Sequence, residues 1–121
     1  SPFPVNHVVI IIGVIGKIRG QLYFDLTMDT AKKIASAIMG GMPVEELNEI
    51  SKSAVSEMGN MIMGNTSTIF ASKNISINIT PPSLLMGDKI EISNKVPTIA
   101  IPLELGGMGT ISINIAAEEI M

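Results

Sequence analysis

The sequence predicts an α+β fold in which two helices pack on one face of a mainly antiparallel sheet, in the order β-β-α-α-β-β-β. Three observations support this fold class. Residues 5–12 are mostly apolar and rich in β-branched side chains, residues 28–38 and 44–70 carry apolar residues at helical spacing, and residues 75–80 alternate between apolar and polar. The predicted strands therefore lie before and after a single pair of helices, as in an antiparallel sheet covered on one side.

The composition indicates one folded domain spanning residues 1–121. Hydrophobic residues make up 46% of the chain and charged residues 16%, which is enough apolar surface for a buried core and excludes a disordered chain. The longest apolar stretch, residues 8–15, is shorter than the ~20 residues that span a bilayer, and no signal peptide precedes it. The chain begins at Ser1 and not at Met, so we expect a longer native N-terminus.

The inventory of reactive side chains excludes several classes of function. The absence of Cys excludes disulfide frameworks and thiolate metal sites and is compatible with a cytoplasmic location, and a single His excludes a multi-histidine metal centre. The net charge is −3 and the basic residues are scattered, which disfavours a nucleic-acid interface. His7 precedes an apolar run, and we interpret it as a surface or strand-edge residue and not as a ligand.

The first two strands are predicted at Val5–Ile12 and Lys17–Leu26, joined as a hairpin. The β-branched run of the first strand predicts burial on both of its faces. The glycines Gly13, Gly16 and Gly20 could also be read as a phosphate-cradling loop, but no helix follows directly and no Lys-Ser/Thr pair closes the pattern. We therefore interpret them as turn and bulge glycines.

The first helix is predicted to begin near Thr27, with Thr27 or Asp29 as its N-cap, and to end at Gly40-Gly41. The second helix is predicted to carry Pro43 in its first turn and to run to about Phe70.

Two glycines, Gly59 and Gly64, lie inside the second predicted helix, where each costs about 1 kcal/mol relative to Ala. They indicate close packing, a kink or room for the backbone of a partner.

The C-terminal third is predicted to contain three strands. Ile75–Ile79 reads as a half-buried strand that the pair Pro81-Pro82 ends, residues 89–105 read as a further strand or two at a sheet edge, and Thr110–Ala116 reads as the last strand.

One line of polar residues on the second helix is the candidate functional site. At 100° per residue, with Ile50 at zero, Ser53, Glu57 and Asn60 fall between about 280° and 340°, and Gly64 falls on the same line. A solvated helix face would explain this line, but Asn is a poor residue inside a helix and a glycine beside it opens the surface. The stripe from about 20° to 140° is predicted to be buried, and it contains Ala54, Val55, Met58, Met61, Ile62 and Ile69.

Several segments carry a resemblance to a known family. Residues 37–65, the Gly-x3-Gly-x-Leu-Tyr-Phe segment at 16–24 and the Ile-Thr-Pro-Pro-Ser segment at 79–83 resemble the CheC/CheX/FliY family of chemotaxis phosphatases, and among them CheX most closely. The family signature is Asp or Ser, three residues, Glu, two residues, Asn, and a Pro some twenty residues later. Ser53, Glu57 and Asn60 match its first three positions, and Pro81 or Pro82 matches the last, with Pro82 favoured.

The resemblance implies a phosphatase that acts on the aspartyl phosphate of a phosphorylated CheY-type response regulator. It implies that Asn60 orients the attacking water, that Glu57 pairs with the active-site Lys of the regulator, and that Ser53, Gly64 and Pro82 are supporting or partner-binding residues. It also implies that the protein has no cofactor of its own, because the regulator supplies Mg²⁺. A single Glu-x2-Asn copy fits CheX, and the resemblance to CheX implies a homodimer with one site per subunit. The resemblance also implies a helix before the first strand, which we expect in the longer native N-terminus.

Two other functions remain as alternatives to catalysis. The first is a non-catalytic CheX-like binding module that docks a response regulator or a flagellar-switch component. The second is a purely structural dimer domain, in which loss of the pair Glu57 and Asn60 would be expected.

Overall fold

The computed structural model describes residues 7–87 and 98–119 and confirms the predicted α+β class. All of the described strands belong to one antiparallel sheet with the order β3-β1-β2-β6-β5, in which β4 also pairs with β1. Within these residues four strands follow the helices, where the sequence predicted three. The elements are β1 (His7–Gly16), β2 (Ile18–Thr27), α1 (Met28–Ile38), α2 (Glu49–Ser72), β3 (Ile77–Ile79), β4 (Ser83–Gly87), β5 (Ile99–Glu104) and β6 (Thr110–Glu119).

The predicted hairpin is confirmed by the pairing of β1 with β2 from His7 opposite Thr27 to Val14 opposite Gly20. The first strand is longer than predicted at its C-terminal end, and its first two predicted residues lie outside the described part of the chain. Burial on both faces holds only at the middle of the strand, since Val9 is fully buried while Ile15 is exposed. A Cβ at Gly20 would collide with the main chain of β6, which agrees with the interpretation of this glycine as structural.

The start of α1 agrees with the prediction and settles its N-cap. The Thr27 hydroxyl accepts a hydrogen bond from the Thr30 N–H at 3.1 Å, so Thr27 is the cap and Asp29 lies in the first turn. Gly40 and Gly41 follow the helix with positive φ angles of 77° and 88°, a backbone conformation that ends a helix and that glycine tolerates.

The predicted start of α2 at Pro43 was wrong, because the helix begins at Glu49. Asn48 and Ser51 form a capping box, in which the Asn48 Oδ1 accepts from the Ser51 N–H at 3.0 Å and the Ser51 Oγ accepts from the Asn48 N–H at 2.8 Å. These reciprocal bonds satisfy two N–H groups at the start of the helix, whereas the side chain of Pro43 has no acceptor that could do so. Leu47, which is buried, joins the preceding loop to the core.

The closest approach of α2 to the sheet is at Gly59. A Cβ at this glycine would lie 3.3 Å from the Ile10 Cγ2, 3.4 Å from the Phe24 Cε2 and 3.5 Å from the Ile12 Cδ1. The buried residues of α2 lie between about 40° and 220° on the wheel and are Ser51, Ala54, Val55, Gly59 and Met63. The predicted stripe is therefore confirmed in part: Ala54 and Val55 are buried and Met58 and Ile62 are half-buried, but Met61 and Ile69 are each 58% exposed.

The edge strand beside β1 is interrupted by a bulge. Val14 pairs with Ile79 in β3 and Ile11 pairs with Ser83 in β4, so the three residues 80–82 lie opposite only two residues of β1. Pro81-Pro82 ends β3 as predicted, but the chain resumes pairing as β4, which the sequence analysis did not find. β3 itself is shorter than the predicted Ile75–Ile79.

A threonine closes the backbone hydrogen bonds of this bulge. The Thr80 N–H donates to the Gly13 carbonyl at 3.0 Å, and the Thr80 Oγ1 accepts from the Gly13 N–H at 2.8 Å. The hydroxyl thus takes the place of a main-chain acceptor in the ladder.

The last predicted strands are confirmed in outline. β5 lies inside the predicted range 89–105, at the end of the strand order where Pro102 is tolerated, and β6 extends beyond the predicted Ala116. Residues 88–97, with Pro97, lie outside the described residues. Neither described helix has the length and apolar character needed to cross a membrane.

We expect Thr80→Val to lower the free energy of unfolding by about 1–2 kcal/mol, because it keeps the side-chain shape but leaves the Gly13 N–H without its acceptor. Urea unfolding measures this change, and Thr80→Ser, which keeps the hydroxyl, is the control. Equal unfolding midpoints for the Val and Ser variants would contradict this role of the hydroxyl.

We expect Asn48→Ala to lower the free energy of unfolding by about 1 kcal/mol, because the Ser51 N–H loses its side-chain acceptor. Asn48→Asp keeps an acceptor at the positive end of the helix dipole and is expected to be nearly neutral. Thermal melts of both variants test the assignment of the capping box. The assignment would be wrong if the Ala variant had the same melting temperature as the wild type.

Candidate functional site

The line of polar residues predicted from the helical wheel lies on the solvent side of α2. Ser53, Glu57 and Gly64 are exposed and Asn60 is half-buried. All four lie on one face of one helix, between about 280° and 340° on the wheel and outside the sector of its buried residues. Their relative positions are therefore fixed by helix geometry and not by a loop.

An open groove of about 540 Å³ lies between α2 and the start of β4. Ser53, Glu57 and Pro82 line this groove together, whereas Asn60 lies one turn further along the helix and is not among the lining residues. Pro82 is half-buried and lines the groove, while Pro81 is exposed and does not. The groove is also lined by Glu49, Lys52, Ser56 and Leu84.

These additional lining residues were not singled out from the sequence. Three of them lie beside the predicted line, between about 200° and 260° on the wheel: Glu49, Lys52 and Ser56. The helical wheel could have indicated them if the position of the sheet edge facing that sector had been known. Leu84 was missed because β4 was not predicted.

The side-chain amide of Asn60 makes no hydrogen bond within the described residues. Neighbouring polar side chains of α2 are different, because the Thr66 and Thr68 hydroxyls donate to carbonyls of the helix and the Ser67 hydroxyl donates to the Ile77 carbonyl. An amide offers a carbonyl acceptor and two N–H donors. Asn60 therefore presents unused hydrogen-bonding groups at the helix surface.

The carboxylate of Glu57 forms no ion pair in the part of the chain that the structure describes. Lys52, which lines the same groove, lies 3.6 Å from Glu49, and the described ion pairs elsewhere join Asp29 to Lys33 and His7 to Asp25. Glu57 is thus free to bind a cationic group from outside this set of residues.

The two glycines of α2 have different surroundings. Gly59 is required by close packing, since a Cβ there would press on three core side chains. At Gly64 a Cβ would meet nothing within 4 Å. The packing of the described residues therefore gives no reason for the roughly 1 kcal/mol that Gly64 costs the helix relative to Ala.

The described residues contain no group of three or more His, Asp or Glu side chains placed to hold a metal ion. The interpretation of His7 as a surface or strand-edge residue was wrong, because β1 is paired at this residue with both β2 and β4. The His7 side chain pairs with Asp25 of β2, and 15% of each side chain is exposed. The chemistry available on this face of α2 is that of the Glu57 carboxylate at the groove and the Asn60 amide one turn further along, which can bind a cation and orient a water molecule.

Comparison with known proteins places this arrangement in a family. The family model of the chemotaxis phosphatase CheX matches residues 8–104. Over 111 residues, 87% of this chain and 72% of the relative, the sequence is 32% identical to a Thermotoga maritima protein named CheY-P phosphatase CheX.

Solved structures agree with this assignment. CheX in the Borrelia burgdorferi CheX-CheY complex, which contains BeF3 and Mg²⁺, superposes with a TM-score of 0.78 at 30% identity, covering 98% of this chain and 82% of that one. The crystal structure of Vibrio vulnificus CheX has a TM-score of 0.81 at 24% identity, with 98% and 80% covered, and so shares the fold. The chain belongs to the CheX family of chemotaxis phosphatases.

Proposed function

We propose that this protein hydrolyses the aspartyl phosphate of a phosphorylated CheY-type response regulator. The observation that carries the proposal is the pair Glu57 and Asn60, whose polar groups are unpaired among the described residues and lie one turn apart on the exposed face of α2. Two relatives support it, because one is named a CheY-P phosphatase and another was solved in complex with CheY.

The chemistry requires little from the phosphatase itself. An aspartyl phosphate is an acyl phosphate, so attack of water on phosphorus breaks the bond to the carboxylate and releases inorganic phosphate. The main requirement is a water held in line with that bond. The Asn60 carbonyl can accept a hydrogen bond from this water and direct its lone pair at phosphorus.

Glu57 would fix the position of the regulator by pairing with the Lys of its active site. A carboxylate one turn from Asn60 sets both the register and the distance at which the amide enters the partner. Ser53 and Pro82 line the same groove as Glu57 and would contact the partner there without a chemical role.

We assign the metal ion of the reaction to the regulator and no cofactor to this chain. The solved relative in complex with CheY contains Mg²⁺ and BeF3, a combination that stands for the metal and the phosphoryl group. The substrate would be a cytoplasmic signalling protein, and the same location is proposed for this chain.

We expect Asn60→Ala to reduce the dephosphorylation rate roughly 100-fold or more, because the water loses its orientation while the fold is unchanged. The assay follows the decay of phosphorylated T. maritima and B. burgdorferi CheY after acetyl phosphate has been removed. Asn78→Ala, which truncates an exposed Asn of β3 that lines neither the groove beside β4 nor the groove beside Met61, is the control and should keep wild-type activity.

An Asn60→Ala protein with wild-type activity would overturn the mechanism. A wild-type protein that binds phosphorylated CheY without accelerating its decay would instead indicate the non-catalytic binding module.

We expect Glu57→Ala to lower activity at least about 30-fold and Glu57→Lys to lower it further, because an interfacial charge pair is lost and then replaced by repulsion. Glu49→Ala, which removes a carboxylate from the same groove, controls for a general loss of negative charge. Equal losses for the variants at positions 49 and 57 would argue against a specific pair at Glu57.

We further propose that the chain forms a homodimer with one site per subunit. The support is the exposed face of β5, which ends the described strand order and carries Ile99, Ile101 and Leu103 with at least 40% of each exposed. Sedimentation equilibrium should give twice the chain mass of 12.8 kDa, and Ile101→Glu should shift it toward the monomer. A monomeric wild-type protein would contradict this proposal.

A further inference from the structure

The exposed face of α2 carries apolar residues beside its polar line. Ile50 is 68% exposed and Met61 is 58% exposed, and both lie within about 40° of Glu57 on the helical wheel. A surface helix ordinarily presents polar side chains on this face. Ile50, Glu57, Met61 and Gly64 follow one another at intervals of seven, four and three residues, the spacing at which a helix engages a groove in a partner.

We call these four residues the docking strip. We propose that the receiver domain of the phosphorylated regulator docks along it, with the main chain of that domain against Gly64. This inference rests on the proposed function. The strip is continuous with the site, because Glu57 belongs to it and Asn60 lies one turn before Gly64 on the adjoining sector. A partner whose phosphoryl group reaches Asn60 therefore covers the strip as well.

Gly64 is the point at which the partner approaches most closely. Nothing in the described packing requires a glycine there, since a Cβ would meet open space. The Thr68 hydroxyl donates to the Gly64 carbonyl at 3.1 Å, so the exposed backbone of the helix is held in place where side-chain bulk is missing. Absent bulk on an intact helix gives a second backbone room to lie against it.

The apolar surface of the strip extends into a neighbouring groove. Met61 is part of the wall of an apolar groove of about 330 Å³ between α1, α2 and the turn before β6. An apolar side chain of the receiver domain that enters beside Met61 would be removed from water, which favours binding and leaves the chemical step to Asn60.

The test separates binding from chemistry by measuring kcat and KM with phosphorylated T. maritima and B. burgdorferi CheY. Gly64→Ala should melt about 3 °C higher, since Ala favours the helix and the added methyl is unobstructed. Its KM should nevertheless rise about tenfold with kcat within twofold of the wild type, and Gly64→Leu should raise KM further.

A matched pair of isoleucines tests the apolar part of the strip. Ile50→Ala should raise KM roughly tenfold, whereas Ile69→Ala, which truncates another exposed isoleucine of α2 about 100° away, should leave KM within twofold.

Unchanged KM values for the variants at positions 50 and 64, with an active wild type, would overturn the docking strip and leave the proposed function intact. A wild type that is inactive on both CheY proteins would overturn the proposed function itself. If Ile50→Ala or Gly64→Leu altered the sedimentation mass, the strip would be an interface with a second copy of this chain, and the assignment to the receiver domain would be wrong.

Discussion

The close approach of α2 to the sheet at Gly59 is the constraint on which the rest of the structure depends. Three core side chains from β1 and β2 lie where a larger residue would need space, so the helix can pack closely only with this glycine facing inward. Because side chains repeat every 3.6 residues, this one contact also fixes which residues face outward. The exposure of Glu57 and the position of Asn60 follow from the packing of a residue that carries no side chain.

The second wall of the groove depends on an irregular sheet edge. A regular strand would continue the pairing of β3 along β1, but residues 80–82 bulge and bring Pro82 and Leu84 to the groove beside α2. The bulge is retained because Thr80 supplies the acceptor that the Gly13 N–H would otherwise lack. A core contact and an edge defect thus position the two sides of one site.

The sequence predicted the fold class, the hairpin and the polar line because each depends on local periodicity. Ser53, Glu57 and Asn60 share one helix face as predicted, because three- and four-residue spacing does not depend on where the helix begins. The start of α2 could not be predicted from Pro43, since the stronger signal is a reciprocal hydrogen-bond pair between Asn48 and Ser51.

Other errors came from tertiary structure. The wheel could not show that Met61 and Ile69 are exposed, because Met61 lies at the border of the buried sector and Ile69 lies in the last turn of α2. β4 was missed for a similar reason, since Pro81-Pro82 ends one strand locally while β1 offers a second stretch of pairing partners beyond the bulge. Local patterns therefore indicated the candidate site, and long-range contacts determined what surrounds it.

The carboxylate and the amide of the candidate site lie on one face of one helix, and such a pair can be copied. Its two chemical groups are three residues apart, and neither needs a loop, a metal or a second segment of chain to hold its place. α1 packs beside α2 and likewise exposes a solvent face, on which Asp29 and Lys33 now form an ion pair at the surface. Two substitutions at suitable exposed positions of that helix would create another amide and carboxylate without disturbing the core. The number of such carboxylate and amide pairs on this scaffold can therefore change more easily during evolution than the scaffold itself.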